Sequence, residues 1–565
     1  MLHDLTTQQG ENLTGTPWEI YPRPQMRRES YVNLNGNWDF AVSPSPALPE
    51  KYDKTITVPF CPECKLSGLQ EKIAPGSYLF YRRELILPAG FNRGRVLLHV
   101  GAADQIAEIY VNQKKINSHV GGYTAFTADI TDALSETNEL VIRCYDDLRD
   151  LSMPYGKQTL TRGGMWYTPV SGIWQSVWLE CVPEQYIENL TVTNRGYSVQ
   201  IAISPALEGV VTVPGVGKYP LEKGKVTITP ENPHLWSPED PYLYDFTVQT
   251  AADQVDGYFA IRCIESRTVN GIPRLLLNGQ PYFFHGLLDQ GYWPDGIYTP
   301  ASPVSYADDI LAMKRLGFNT LRKHIKVEPE EFYYQCDRLG MIVFQDMVNN
   351  GDYAYLRDTI LPTVGVQKLR DRKMHKDEKA RKMFLTTMAE TVQQLRSHPC
   401  ILYWTIFNEG WGQFHSEAVY DRLQALDNSR IIDATSGWFR QKKSDVESLH
   451  IYFGPWSNLK MADKPLILSE FGGHCYPVEE HIFNPQKAYG YKSCKSLEIF
   501  QADLEKLYRQ RIIPAVAKGL CGAIYTQVSD VEDEINGLLT YDRKVCKADA
   551  DAMLALAREL QNAIR

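Results

Sequence analysis

The sequence predicts a multidomain chain: a jelly-roll-like N-terminal β-sandwich (1–183), an immunoglobulin-like β-sandwich (184–266) and a C-terminal (β/α)8 TIM barrel (267–565). Three observations predict it. Short β-type runs separated by turn residues fill roughly the first half of the chain. The pattern then changes to apolar runs alternating with amphipathic helices. Eight such runs fit into about 300 residues, which is the size of one closed barrel.

In the first domain the runs include Ile56–Pro59, Tyr78–Leu87, Val96–Val100, Ile109–Val111, Glu139–Tyr145 and Gln175–Leu179. Helical periodicity is nearly absent, which predicts an antiparallel sandwich. In the second domain the strands are expected at Ile187–Thr193, Ser198–Ile203, Val210–Val213, Lys225–Ile228, Tyr242–Thr250 and Gly257–Ile264. Pro233, Pro238 and Pro241 mark a loop before the last two. In the third, the runs are Tyr282–Leu288, Asn319–His324, Met341–Gln345, Ile401–Asn408, Ile431–Thr435, Ser448–Phe453, Pro465–Glu470 and Ala523–Gln527. A helix is expected over Tyr306–Leu316, with Ala307, Ile310, Leu311 and Leu316 on its buried face.

Composition narrows the function. The 565 residues carry 59 Lys+Arg against 68 Asp+Glu, a net charge of −9, with 44% hydrophobic and 22% charged residues. This balance is globular, and its acidic sign argues against a nucleic-acid binder. The most basic stretch, Lys368–Lys382, is interrupted by acidic residues and reads as a solvated face. No basic n-region with an apolar core opens the chain, and no run approaches the length of a membrane span. The eleven Cys are scattered and odd in number, so reduced thiols and a cytoplasmic location are expected. Cys61-Pro-Glu-Cys64 lacks a second pair at zinc spacing and reads as an incidental loop. The 33 Tyr and 11 Trp suit concave, ring-lined sugar sites as well as ordinary cores.

Active sites of such barrels lie at the C-terminal ends of the strands. The fourth run ends Phe407-Asn408-Glu409-Gly410-Trp411, and the seventh ends Ser469-Glu470-Phe471-Gly472. Two carboxylates at one barrel mouth are the requirement for glycoside hydrolysis: one protonates the leaving oxygen, and the other attacks the anomeric carbon or activates water. Burial beside Trp404 and Trp411 is expected to raise the Glu409 carboxyl and suit it to acid work. The other strand ends offer His285, Asp289, Gln290, Arg322, Lys323, His324, Asp346, Trp438, His450, Tyr452, Tyr525 and Gln527. Of these, Asp289, Arg322, His324, Trp438, His450, Tyr452 and Gln527, together with Asn408 and Trp411, are the candidate substrate-binding residues.

With both glutamates in view, the chain resembles glycoside hydrolase family 2 over almost its whole length. Asn35-Gly-Asn-Trp38-Asp-Phe40, Val58-Pro-Phe60 and Phe80-Tyr-Arg-Arg83 are similar to the family's N-terminal sandwich. Gly172-Ile-Trp-Gln175 is similar to its exit strand, and Leu235-Trp236 through Tyr242-Leu-Tyr244 to the end of its immunoglobulin-like domain. Phe407-Asn408-Glu409 and Ser469-Glu470-Phe471-Gly472 look like the acid/base and nucleophile motifs. The resemblance implies a retaining exo-β-glycosidase on a carbohydrate or glycoconjugate. Glu470 would be the nucleophile and Glu409 the acid/base. Asn408 would hold the sugar 2-hydroxyl, Arg322 and His450 would line the site, and Tyr452 would lie near the nucleophile. β-Galactosidase is the favoured label on family frequency. β-Glucuronidase, β-mannosidase, arabinosidase and an inactive carbohydrate-binding scaffold are the alternatives.

The chain also departs from the family pattern. Leu287-Leu-Asp289-Gln-Gly-Tyr-Trp293 lacks the Asn-Arg/Lys-His-Glu run of well-known members, and Asp289 is expected to take over hydroxyl recognition. The Asn-x-Lys pair that reads a sugar carboxylate in glucuronidases has no clear match. Asn484-Pro-Gln-Lys487 is one residue too long, which leaves Arg440, Lys442 and Lys443 as candidate cations. The chain ends with the barrel, so no further domains are expected, and the magnesium ligands of large β-galactosidases are unmatched. No metal and no cofactor are therefore expected. Flat sandwich faces suit a homo-oligomer.

Overall fold

The computed structural model describes residues 2–363, 370–452, 456 and 459–565. Lys368 of the basic stretch and Phe453 at the end of the sixth apolar run lie outside the described residues. The first domain is two antiparallel sheets. One has four strands in the order Tyr31–Asn33, Val177–Val182, Arg95–Val100, Phe126–Asp129. The other has six, in the order Lys54–Val58, Gly36–Ser43, Ser77–Glu84, Glu139–Asp146, Ile106–Val111, Lys114–Val120. Alternate residues of both sheets, among them Trp38, Phe40, Ile56, Leu79, Tyr81, Leu98 and Ile142, fill the space between them. The edge strand Lys114–Val120 has no buried residue, which is why no apolar run announces it.

The second domain pairs a three-stranded with a four-stranded sheet around Val199, Ile201, Val211, Phe246, Val248 and Phe259. Its last strand is Gln254–Phe259. The expected single strand Gly257–Ile264 is instead the end of that strand and the start of another, Ile264–Val269. The latter pairs with Ile272–Leu277 as a hairpin that packs on the barrel, where Leu275 N–H meets Cys521 Sγ and Arg274 bonds the Val516 carbonyl.

The barrel strands, in chain order, are β1 Phe284–Asp289, β2 Thr320–Lys323, β3 Ile342–Asp346, β4 Ile401–Asn408, β5 Ile431–Ser436, β6 Glu447–Ile451, β7 Leu466–Gly472 and β8 Leu520–Thr526. All the pairings are parallel, and β8 pairs with both β1 and β7. Between β5 and β6 the ladder is replaced by a side-chain bond, Ser436 Oγ to His450 Nε2 at 2.9 Å. Inside, Phe344 stacks on Tyr403 at 4.2 Å and meets Phe284 at 5.5 Å, so the lumen is a packed core. The first barrel helix spans Val304–Arg315 and buries Tyr306, Ala307, Ile310 and Met313. Leu311 is 40% exposed, because it sits one residue, or about 100°, off that stripe.

No disulfide links the described cysteines. No helix of the described residues is long and apolar enough to cross a membrane. The exposed basic residues Arg372, Lys373 and Lys376 lie on the surface, and Lys379 pairs with Asp150.

The two sandwiches are joined by a buried ion cluster. The Arg28 guanidinium donates to Glu180 of the first (2.9 Å), to Asp253 of the second (2.7 and 3.2 Å) and to the Ile187 carbonyl between them. Tyr21 and Arg23 complete the shell of Glu180. Removing Arg28 leaves Asp253 buried without its cation, while Glu180 keeps Arg23. Arg28→Ala should therefore cost about 3–5 kcal/mol in denaturant unfolding. A loss below about 1 kcal/mol would show that the cluster is not holding the domains together.

Candidate active site

Glu409 and Glu470 face one another across the C-terminal mouth of the barrel. One oxygen of each, together with His450 Nδ1, lies within 4.8 Å of the other two. β7 carries Glu470 near its end and Glu409 follows directly on β4, so both carboxylates stand at the rim. The chain then turns away sharply. Glu409 and Gly410 both take left-handed backbone, with φ of +51° and +79°. A Cβ on Gly410 would come 2.2 Å from the Phe439 ring, so only glycine fits that turn.

Arg322 on β2 organises the floor of the site, and all five of its N–H groups are engaged. It grips Asp346 on β3 with two bonds of 3.0 Å and meets the Asn408 side-chain oxygen on β4 at 2.9 Å. On β7 it reaches the Ser469 carbonyl at 3.0 Å and Glu470 Oε1 at 2.9 Å. The other oxygen of Glu470 accepts from the Tyr452 hydroxyl at 2.6 Å, which also contacts Thr526 at 2.7 Å. His450 Nδ1 lies 2.9 Å from Glu409 Oε1 and 3.6 Å from Glu470 Oε2. His324 leans on Asp346 at 2.8 Å, and burial pushes its imidazole down to about 4, so it is neutral near pH 7.

The two carboxyls are driven apart electrostatically. Burial alone raises Glu470, but the charges of His450 and Arg322 overcome it and hold this group down at about 2. Burial also raises Glu409; the hydrogen bond from His450 offsets part of that rise, and the Glu470 charge adds to it. The result is one ionised and one protonatable carboxyl in contact with the same histidine. These three groups are also the described set close enough together to hold a cation. Their donor set fits one poorly, because Arg322 already neutralises Glu470 and His450 Nδ1 is engaged with Glu409.

The structure thus brings together Asn408, Glu409, Arg322, His324, His450, Tyr452 and Glu470. Trp438 stands beside them, its ring 6.2 Å from that of His450. Trp411 walls the mouth, stacked on Trp166 at 5.2 Å and edge-on to Tyr353 at 5.4 Å. Asp289 is not among them. It pairs in register with Lys323, which points outward, and bonds it at 2.7 Å within a network that includes Glu328. Gln527 spends its amide on Gln290 (2.8 Å) and Asn536 (2.9 Å), ordering the loop after β8. Trp404 does not desolvate Glu409. It faces the helix layer and donates to Asp427, since it is Tyr403 that points inward. His285 is structural, held by Tyr508 and the Gly317 carbonyl. Of the candidate cations, Arg440 pairs with Glu447, Lys443 pairs with Asp421, and Lys442 and Lys487 are exposed.

Sequence reasoning missed Ser436 and Thr526, which orient His450 and Tyr452. It also missed a loop of the first domain. Tyr155 bonds the Gly351 carbonyl, Arg162 pairs with Asp533, Tyr167 donates to Glu534 and Thr168 N–H meets Glu532. The sandwich thereby supplies part of the wall of the barrel mouth, including Trp166. The one local signal was the run of glycines at 156, 163 and 164, all of which take positive φ.

Comparison with known proteins identifies the family. The family model described as "Glycosyl hydrolases family 2, TIM barrel domain" matches residues 273–550, and the one described as "Glycosyl hydrolases family 2" matches 180–262. A β-galactosidase of Thermoanaerobacter pseudethanolicus is 24% identical over 440 residues, covering 71% of this chain and 55% of that protein. A putative β-glucuronidase of Formosa agariphila is 24% identical over 438 residues, covering 69% and 48%. The chain thus spans about half the length of these two relatives. The solved structure of a β-glucuronidase from an uncultured Clostridium sp. superposes with a TM-score of 0.73 at 19% identity, covering 96% of this chain and 99% of that one. Two family models in tandem, over sandwich and barrel alike, place the chain in glycoside hydrolase family 2.

Proposed function

We propose that the protein is an exo-β-glycosidase that works by double displacement with retention. The observation that carries this reading is the pair itself: two buried carboxyls, their nearest oxygens no more than 4.8 Å apart, shifted in opposite directions. That proximity suits the spacing of about 5 Å used by retaining enzymes and leaves little room for the water that inverting enzymes place between carboxyls about 6.5–9.5 Å apart. Glu470, ionised, attacks the anomeric carbon as the glycosidic C–O bond breaks, and the Glu409 proton goes to the leaving oxygen. Water then attacks the same carbon and gives its proton to Glu409, and the bond to Glu470 breaks. Asn408, oriented by Arg322, is placed to bond the sugar beside the nucleophile.

The sugar we propose is a terminal β-hexuronic acid rather than galactose. Beside the β-galactosidase, the relatives at similar identity include the putative β-glucuronidase and several mammalian β-glucuronidases, so the names lean toward a glucuronide without choosing it. Support for the acidic sugar comes from Lys157, whose Nζ lies 4.8 Å from the ring of Trp411 on the wall of the mouth and has no carboxylate partner among the described residues. A panel of p-nitrophenyl β-glycosides (glucuronide, galacturonide, galactoside, glucoside and mannoside) tests this directly. Preference for a hexuronide supports it, and preference for a galactoside restores the first label.

Two outcomes test the roles. Glu470→Ala should lose turnover by at least about 10⁴-fold. Azide should restore part of it and give the α-glycosyl azide, whereas a β-azide would reverse the assignment. Glu409→Ala should slow substrates with poor leaving groups far more than activated aryl glycosides, and equal losses would rule out its acid role.

The pH profile follows from the signs. Activity requires Glu470 ionised, so it falls only as pH drops through that depressed value, near 2. It also requires Glu409 protonated, so it falls as pH rises through a value above the ordinary carboxyl range. The kcat/KM profile should be a bell whose limbs report the coupled pair, and Glu409→Ala should flatten the alkaline limb. An alkaline limb unchanged in that variant would contradict the assignment.

A further inference from the structure

Lys157 is 6% exposed and belongs to the first sandwich, yet its ammonium reaches the ring of Trp411, two residues after Glu409. Nζ lies 4.8 Å from the Trp411 ring and 5.8 Å from that of Trp166. Burial pushes the Lys157 ammonium down, and the charges of Glu534, Glu470 and Glu409 work against that, with Arg322 opposing them. Among the described residues, no carboxylate pairs with it and no acceptor takes its hydrogen bonds. Glu534, the largest of the attracting charges, accepts instead from Tyr167 and from Asn536 Nδ2 at 2.9 Å. The indole N–H of Trp411 is a buried donor on this wall without a partner. Buried donors are nearly always satisfied, and an ammonium largely shielded from water and without a carboxylate partner gains from an anion placed beside it.

The loop that carries Lys157 is rigid. Gly156 has φ +61° and packs so closely that a Cβ would touch the Ile325 carbonyl and the Tyr123 hydroxyl, each at 3.0 Å. Gln158 is bonded on both sides, to Asp104 and Tyr123 at 3.0 Å through its nitrogen and to Val170 N–H at 2.7 Å through its oxygen. Tyr155 N–H bonds the Asn349 carbonyl at 3.1 Å. An ammonium held in place between fixed neighbours and lacking an acceptor is a preorganised anion contact.

We propose that Lys157 is the specificity-determining residue that receives the carboxylate of the terminal sugar, supplied to the barrel's site by the N-terminal sandwich. The inference rests on the hexuronide reading above and deepens it by naming the cation. Arg440, Lys443 and Lys487 do not fill this role, being ion-paired or exposed. The carboxylate satisfies the buried ammonium and sits away from the anomeric carbon, leaving Glu409 and Glu470 to the chemistry. A neutral sugar brings only a hydroxymethyl group to the same place.

The test compares wild type, Lys157→Gln and Lys157→Arg on p-nitrophenyl β-D-glucuronide and β-D-galacturonide and on the neutral glucoside and galactoside. Lys157→Gln should lose kcat/KM on the preferred hexuronide by on the order of 10- to 100-fold, mainly through KM, as expected for a charge-assisted hydrogen bond. The loss should exceed that on the matching neutral sugar by at least about tenfold, and Lys157→Arg should recover part of it. Thermal shifts with free D-glucuronate and D-glucose give the same comparison if neutral substrates are too slow: the variant should lose the glucuronate shift. Equal losses on acidic and neutral sugars, or a glucuronate shift that survives, would overturn the assignment while leaving the hexuronidase reading intact. A wild-type enzyme that cleaves neutral glycosides and no hexuronide would overturn the sugar reading, and this inference with it. Melting curves of the variants establish that they fold, and Lys157→Met serves as the shape-conserving substitute if Lys157→Gln does not.

Discussion

The rest of the active site depends on the guanidinium of Arg322. It is 1% exposed, and its five donors reach Asp346, Asn408, the Ser469 carbonyl and Glu470 on three other strands. A cation so deep in a barrel is tolerable only with full pairing, so the surrounding groups are constrained in turn. Asp346 supplies the counter-charge and also fixes His324. The same guanidinium keeps Glu470 ionised in a site whose burial would otherwise neutralise it. The ionisation that the proposed nucleophile needs and the barrel's internal cohesion are thus one interaction. The functional asymmetry of the two glutamates follows from it: Glu470 touches Arg322, and Glu409 does not.

The second constraint is the seam between β5 and β6. With no ladder there, Ser436 and His450 close the barrel through side chains, and His450 then reaches both carboxylates. Gly437 makes room for this ring, since a Cβ there would approach it to 2.6 Å. The gap in the sheet therefore lies where Glu409, the proposed acid/base, is oriented. The N-terminal sandwich adds the remaining wall, and its loop is tied to Asn349, Gly351, Glu532, Asp533 and Glu534 by direct bonds.

Much of this was legible in the sequence, for identifiable reasons. Strand ends in a barrel converge by geometry, so reading the last residues of β2, β4, β6 and β7 found Arg322, Asn408, Glu409, His450 and Glu470 together. What misled was facing direction. Asp289 and Trp404 each lie one residue away from the inward register, in line with Lys323 and next to Tyr403, and a run that is apolar throughout does not reveal its own phase. Leu311 was misplaced by the same kind of one-residue ambiguity on a helix. Lys157 was out of reach for another reason. It enters from a different domain across some 250 residues of chain, and no local pattern marks a lysine whose meaning lies in what it fails to pair with.

The central claim is that Glu470 forms a covalent glycosyl-enzyme. The most direct measurement is intact and peptide mass spectrometry after incubation with the 2-deoxy-2-fluoro-β-glycosyl fluoride of the preferred sugar, whose electron-poor ring slows breakdown of the intermediate. The account predicts one sugar per chain, on the peptide that contains Glu470 and absent from Glu470→Gln. A label on Glu409, or turnover that yields the α-anomer with no adduct, would contradict it.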